Sequence, residues 1–136
     1  MSGFLAHSQS IPLFSSTVSA GFPNTAEDMV EQGLNLHEHL VKKPAATYFL
    51  RVCGNSMINA GIHSGDLLIV DRSLEPKDGN VVIASLDREF TVKRLRFSGG
   101  KYCLYPENPA YKPIFLDQTN DIEVWGVVIS VIHSLI

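Results

Sequence analysis

From Thr47 onward the chain is built of short apolar, β-prone runs with turn residues between them. Tyr48–Cys53, Leu67–Asp71, Val81–Leu86, Glu89–Leu95 and Tyr102–Tyr105 all have strand character. Leu67-Leu68-Ile69-Val70 is apolar without alternation, which predicts a strand covered on both faces. Glu75-Pro76-Lys77-Asp78-Gly79-Asn80 is a turn cluster, and Asp87-Arg88 stands at the tip of a hairpin. Ser98-Gly99-Gly100 turns the chain again, and Pro106, Pro109 and Pro113 impose an irregular loop before Ile114–Leu116 and the long Ile122–Ile132 stretch. Strands this short and this closely spaced predict a mainly β domain, an antiparallel sheet folded on itself.

The first third reads differently. Residues 1–20 carry Ser2, Ser8, Ser10, Ser15, Ser16 and Ser19, scattered apolar side chains and no charge beyond His7. So little patterned burial cannot repay the entropy of ordering, and residues 1–33 are expected to form a flexible N-terminal arm ahead of a domain at 34–136. Within it, Ile11-Pro12-Leu13-Phe14 is an apolar patch able to dock on a surface. Val18-Ser19-Ala20-Gly21 is a run of small residues, and Phe22-Pro23 disfavours helix after it. Asn24 to Glu31 predicts a short helix capped by Asn24 or Thr25 and ended by Gly33. Leu36 and Leu40 predict a further turn or two, closed by Pro44. His37 and His39 would face different ways on a helix, and the histidines show no ligand spacing, so neither metal nor cofactor is expected.

A chain of 136 residues, 45% apolar and 18% charged, should bury one modest core. Its net charge of -3 argues against a protein that grips phosphate backbones, so no direct sequence-specific DNA binding is expected. Cys53 and Cys103 lack CxxC spacing, which fits a reducing cytoplasm. Neither a signal peptide nor an apolar run long enough to span a membrane is visible.

The chemistry concentrates at Phe49-Leu-Arg-Val-Cys-Gly-Asn-Ser56-Met57. A strand that stops at Gly54 and is followed by Ser56 presents a hydroxyl at the rim of a sheet. Such a turn also leaves the backbone N–H groups of Asn55 and Ser56 available to stabilise an oxyanion. A serine nucleophile needs a base. His63, in the glycine-punctuated loop, and His133, near the far terminus, are candidates, and Asp66 or Asp71 could orient one of them. A neutral lysine is another. Only about one lysine in a few thousand is neutral at pH 7, but burial in apolar surroundings raises that fraction. Lys93 sits inside a strand beside Phe90, Val92 and Leu95, whereas Lys42, Lys43, Lys77 and Lys112 lie in polar, loop-like segments. Arg94 and Arg96 flank it and predict that one face of its strand is wet.

Gly54-Asn55-Ser56-Met57, Gly65-Asp66-Leu67-Leu68-Ile69-Val70-Asp71 and Glu89-Phe90-Thr91-Val92-Lys93-Arg94-Leu95 together resemble the LexA/UmuD family of self-cleaving serine–lysine peptidases. The likeness extends through Pro12-Leu13-Phe14, Ala20-Gly21-Phe22-Pro23, Tyr48-Phe49 and Val124-Trp125-Gly126-Val127-Val128-Ile129, nearly the whole chain from residue 11. It implies a LexA/signal-peptidase-like, β-rich complex fold. It also implies Ser56 as nucleophile, Lys93 as general base, the Ser56 and Asn55 amides as oxyanion hole, and Ala20–Gly21 as the scissile bond. Val18 is spaced to make an apolar contact on the same side of an extended strand as Ala20.

By the same resemblance, cleavage would be stimulated by a RecA filament on single-stranded DNA. The shortened homodimer would then act with a UmuC-type Y-family polymerase in error-prone synthesis past lesions. The family's repressors carry a helix-turn-helix domain, and residues 1–40 are too short and too poorly patterned for one. Three other readings compete: a non-catalytic interaction module for a polymerase, a signal-peptidase-like enzyme acting in trans, and a Ser-His-Asp hydrolase through His63.

Overall fold

The computed structural model describes residues 10–15, 17–23, 30–116 and 122–136. The chain divides into two compact units, 1–42 and 43–136. In the first, β1 (Ser10–Phe14) pairs antiparallel with β2 (Val30–Asn35), and a one-turn helix α1 (Leu36–Leu40) follows. Asn35 caps α1, its side-chain oxygen accepting from the Glu38 N–H at 3.2 Å. The expected helix therefore fails at its end: Val30 to Gly33 form a strand because β1 supplies a partner, a tertiary contact that local propensity does not register. The start of that helix, at 24–29, and the reading of 1–9 lie outside the described residues.

The second unit is a seven-stranded sheet. Its strands are β3 (Thr47–Arg51), β4 (Leu67–Asp71), β5 (Val81–Leu86), β6 (Glu89–Ser98), β7 (Lys101–Tyr105), β8 (Ile114–Phe115) and β9 (Ile122–Ile132). They lie in the order β3-β4-β9-β5-β6-β7-β8, and every pairing is antiparallel. The mainly β fold expected from the strand spacing is the fold observed. β4, unalternating in sequence, is buried on both faces. Side-chain alternation sends Ile83 of β5 to one core cluster and Val82 and Ala84 to the other. The first cluster joins Leu68 and Val70 of β4 to Val52, Met57 and Ile62 from the β3–β4 connection. The second gathers Leu95 of β6, Leu104 of β7 and Val127 of β9.

Two register shifts shape the face that carries the site. β9 skips a residue opposite Ile69/Val70 and again opposite Ile83/Ala84, where Trp125 falls. A bulge re-aims the side chain it carries, and Trp125 packs against the first core cluster. Tyr48 and Phe90 rings lie 5.2 and 4.9 Å from the Trp125 ring, and the Arg72 guanidinium sits 4.5 Å above it. The second feature is an overhang. β6 pairs with β5 from Glu89 to Arg94, but β7 pairs with β6 only from Arg94 to Ser98. Among the described residues, the stretch from Glu89 to Lys93 thus has no strand partner on its β7 side, toward which a long side chain can turn.

Candidate active site

Ser56 follows β3 in a tight turn whose shape is set by Gly54, at φ +98°. A Cβ there would meet nothing within 4 Å, so the demand for glycine is conformational, not a matter of space. On the far side Met57, 1% exposed, anchors the turn in the first core cluster. Burying such a side chain contributes about 2 kcal/mol, ample to fix the neighbouring serine. The connection before β4 braces the turn through Gly65 N–H to Val52 O at 2.8 Å and Gly54 N–H to the Ser64 hydroxyl at 3.1 Å. The loop after β7 braces it from another side. Asn108 Nδ2 donates to Asn55 O at 2.8 Å, Asn59 N–H donates to Glu107 O at 2.9 Å, and Glu107 in turn holds Arg94 at 2.7 Å. No backbone carbonyl among the described residues accepts a hydrogen bond from the N–H of Asn55 or Ser56.

Lys93, 7% exposed, ends within reach of three oxygens. Its Nζ lies 3.0 Å from Ser56 Oγ, 2.8 Å from Thr91 Oγ1 and 3.2 Å from Val92 O. Burial holds its pKa below the ordinary 10.5 of lysine. The count of donors matters here. An ammonium would donate to all three oxygens, whereas a neutral amine donates to Thr91 and Val92 and keeps its lone pair for the Ser56 O–H. The second arrangement is that of a base with its substrate proton in hand.

Beside Ser56 a groove of about 210 Å³ has an apolar floor of Leu50, Leu68, Ile83 and Val92. It lies in the second unit, between the end of β3 and the overhanging half of β6. Arg51, Cys53, Ser56 and Thr91 complete the lining, so the groove offers apolar surface beside polar groups.

The structure thus brings Ser56, Lys93 and the Asn55 and Ser56 amides together. Val18, Ala20 and Gly21 belong to the first unit, where all three are exposed and Ala20-Gly21 forms a bend. There the Gly21 N–H donates to Ser19 Oγ at 3.2 Å. The expectation of a wet face beside Lys93 holds for Arg96, which is exposed, while Arg94 is half-buried and bonds Gly79 O at 2.7 Å.

No hydrogen bond joins His63 to Ser56 among the described residues. Of the two aspartates, Asp66 accepts the His63 backbone N–H and meets the His133 ring, leaving His63 Nδ1 3.7 Å away, and Asp71 is bound by Ser73. Burial pushes the Asp66 carboxyl up, but the His63 N–H at 2.8 Å and the His133 ring at 2.6 Å outweigh it and hold it below the carboxylate range. The Ser73 hydroxyl at 2.6 Å does the same for Asp71 against its burial. Thr91, Ser64 and Asn108 were not singled out in the sequence. Thr91 alone had a signal, since a residue two before Lys93 in a strand shares its face.

Residues 12–129 match the family model described as Peptidase S24-like. The chain is similar to Protein MucA of Salmonella typhimurium, 48% identical over 128 residues, which is 93% of this chain and 85% of MucA. It is 43% identical over 123 residues to Protein SamA of Salmonella typhimurium, covering 90% of this chain and 85% of SamA. It is also 42% identical over 118 residues to the LexA repressor of Shewanella denitrificans, covering 86% of this chain but 57% of the repressor.

Proposed function

Because the chain belongs to the Peptidase S24-like family, we propose that it is a self-cleaving serine peptidase with a Ser56–Lys93 dyad that cuts its own Ala20–Gly21 bond. Residues 1–33 serve as the substrate-bearing arm and 34–136 as the peptidase. Neutral Lys93 takes the Ser56 proton as Oγ attacks the Ala20 carbonyl carbon. The carbonyl oxygen becomes an oxyanion facing the Asn55 and Ser56 N–H groups. As the tetrahedral intermediate collapses, the C–N bond breaks and Lys93 returns the proton to the Gly21 nitrogen. Water then hydrolyses the Ser56 ester, with Lys93 again as base.

The observation that carries this reading is the 3.0 Å approach of a buried amine to the Ser56 hydroxyl. A small aliphatic Ala20 also suits the apolar groove beside it. Family resemblance supports the wider role. A RecA filament on single-stranded DNA stimulates cleavage in the cytoplasm, and the remaining 21–136 homodimer acts with a UmuC-type Y-family polymerase in translesion synthesis. The protein carries no helix, among its described residues, long and apolar enough to cross a membrane.

The test is intact-mass spectrometry of the purified chain held at alkaline pH. Two fragments, 1–20 and 21–136, are expected without any added factor. Ser56→Ala should abolish them, and Lys93→Ala should slow their formation by roughly 10²–10⁴-fold, the usual contribution of a general base. Undiminished cleavage in either variant, or a cut elsewhere, would overturn the assignment.

A further inference from the structure

A second group of chemistry-bearing side chains lies where the tail after β9 meets the loop leading into β4. One ring nitrogen of His63, one of His133 and a carboxylate oxygen of Asp66 lie within 4.8 Å of one another. His133 Nδ1 approaches Asp66 Oδ1 to 2.6 Å, while His63 Nδ1 stands 3.7 Å from Oδ2. The longer separation is no hydrogen bond, so the buried His63 Nδ1 has no partner among the described residues. Leaving a buried polar nitrogen unsatisfied is costly, and it calls for an explanation. The carboxylate, by contrast, is held in place: Asp66 is 3% exposed, and its Oδ2 accepts the backbone N–H of His63 at 2.8 Å. The two imidazoles face each other with centroids 4.7 Å apart.

We propose that His63, Asp66 and His133 form a binding site for one divalent transition-metal cation of the zinc class. Two imidazole nitrogens and one carboxylate oxygen are the donors such borderline cations select, and three protein ligands leave a fourth position for water. Ligands at roughly 2.0–2.2 Å from a tetrahedral ion lie about 3.3–3.6 Å apart. The three donor atoms span up to 4.8 Å, so the ring nitrogens must draw in by about 1 Å, while His133 Nδ1, now 2.6 Å from Asp66 Oδ1, must open by less than the length of a bond. His133 sits on the exposed tail beyond β9, where such an adjustment disturbs no strand pairing. A bound cation would occupy the lone pair of His63 Nδ1 and neutralise the Asp66 charge.

The loop that supplies His63 and Asp66 is the one that braces the Ser56 turn, through Gly65 to Val52, Ser64 to Gly54, and Val52 N–H to Asp66 O at 2.9 Å. The ion would therefore tie the carboxy-terminal tail to the support of Ser56. That consequence rests on the peptidase reading; the binding does not.

The experiment uses the full chain, stripped of metal with a chelator and titrated with Co²⁺ while the visible ligand-field bands are recorded. Saturation at one Co²⁺ per chain is expected, with Zn²⁺ displacing it. His63→Ala and His133→Ala should each weaken binding by about 100-fold or more, at the upper end of the losses seen when only an outer-shell partner is removed. Cys53→Ser and His37→Ala, which delete exposed donors elsewhere, should leave it unchanged. As a second readout, Zn²⁺ should raise the thermal midpoint of the unaltered chain and not that of His133→Ala. Absent bands, bands of equal affinity in His133→Ala, or an equal thermal rise in that variant would overturn the proposal and leave a histidine–aspartate hydrogen bond.

Discussion

A lysine that ends among three oxygens and is 7% exposed has a protonation state that folding must alter. In the unfolded chain Lys93 titrates at the ordinary 10.5, and in the folded protein below it. Between those two values the unfolded state binds more protons, so stability rises with pH across the window and levels off above 10.5. Lys93→Met removes this dependence. In a Ser56→Ala background, which cannot cleave, urea unfolding should find the methionine variant more stable than its parent at neutral pH. That difference should narrow as pH approaches 10.5; a constant difference would mean that the lysine is ordinarily solvated. Both members of the hydrogen-bonded Ser56–Lys93 pair stood out in the sequence, Ser56 from the strand that stops at Gly54 and Lys93 from its apolar strand context. Apart from Thr91, which shares the face of Lys93 on its strand, the polar groups that brace them left no signal there. Ser64 and Asn108 act through loop geometry, and His133 reaches Asp66 across 67 residues, a separation that no motif spacing can anticipate.

Among the elements, the β5–β6 hairpin shapes the overhang that carries Lys93. Its two-residue loop has positive φ at both positions, +49° at Asp87 and +71° at Arg88, as the twist of a tight hairpin requires. A side chain in that region is disfavoured by about 1–2 kcal/mol, so Arg88→Gly should stabilise the protein by about 1 kcal/mol, read as a higher urea midpoint at unchanged slope. β9 tolerates the opposite change badly. A Cβ at Gly126 would come within 2.6 Å of Val70 Cγ1 and 3.5 Å of Asp71 O, deep in the sheet. Gly126→Ala should cost about 1–3 kcal/mol by overpacking, and a thermal midpoint equal to the parent's would contradict that. Strand positions from β3 to β9 were readable because apolar runs and turn residues alternate there. β2 was misread because its strand state depends on β1 and not on its own residues. The end of β7 at Tyr105, opposite Arg94, which leaves the edge beside Lys93 without a strand partner among the described residues, left no mark in the pattern either.

At the scale of the whole molecule, a peptidase joined to its own substrate needs no collision to meet it, so its rate depends on the chemistry and on how often the segment is presented. The two units, 1–42 and 43–136, carry the proposed scissile bond and the proposed dyad respectively. The mainly β class and the antiparallel order followed from the sequence, because so many short strands joined by turns allow little else. The measurement that bears most directly on the mechanism is the pH–rate profile of self-cleavage, followed by intact mass on the unaltered chain. The rate should climb as Lys93 loses its proton and reach a plateau below 10.5, the ordinary lysine value. A rate that is flat, or that keeps rising in proportion to hydroxide through that value, would mean that Lys93 is not the base.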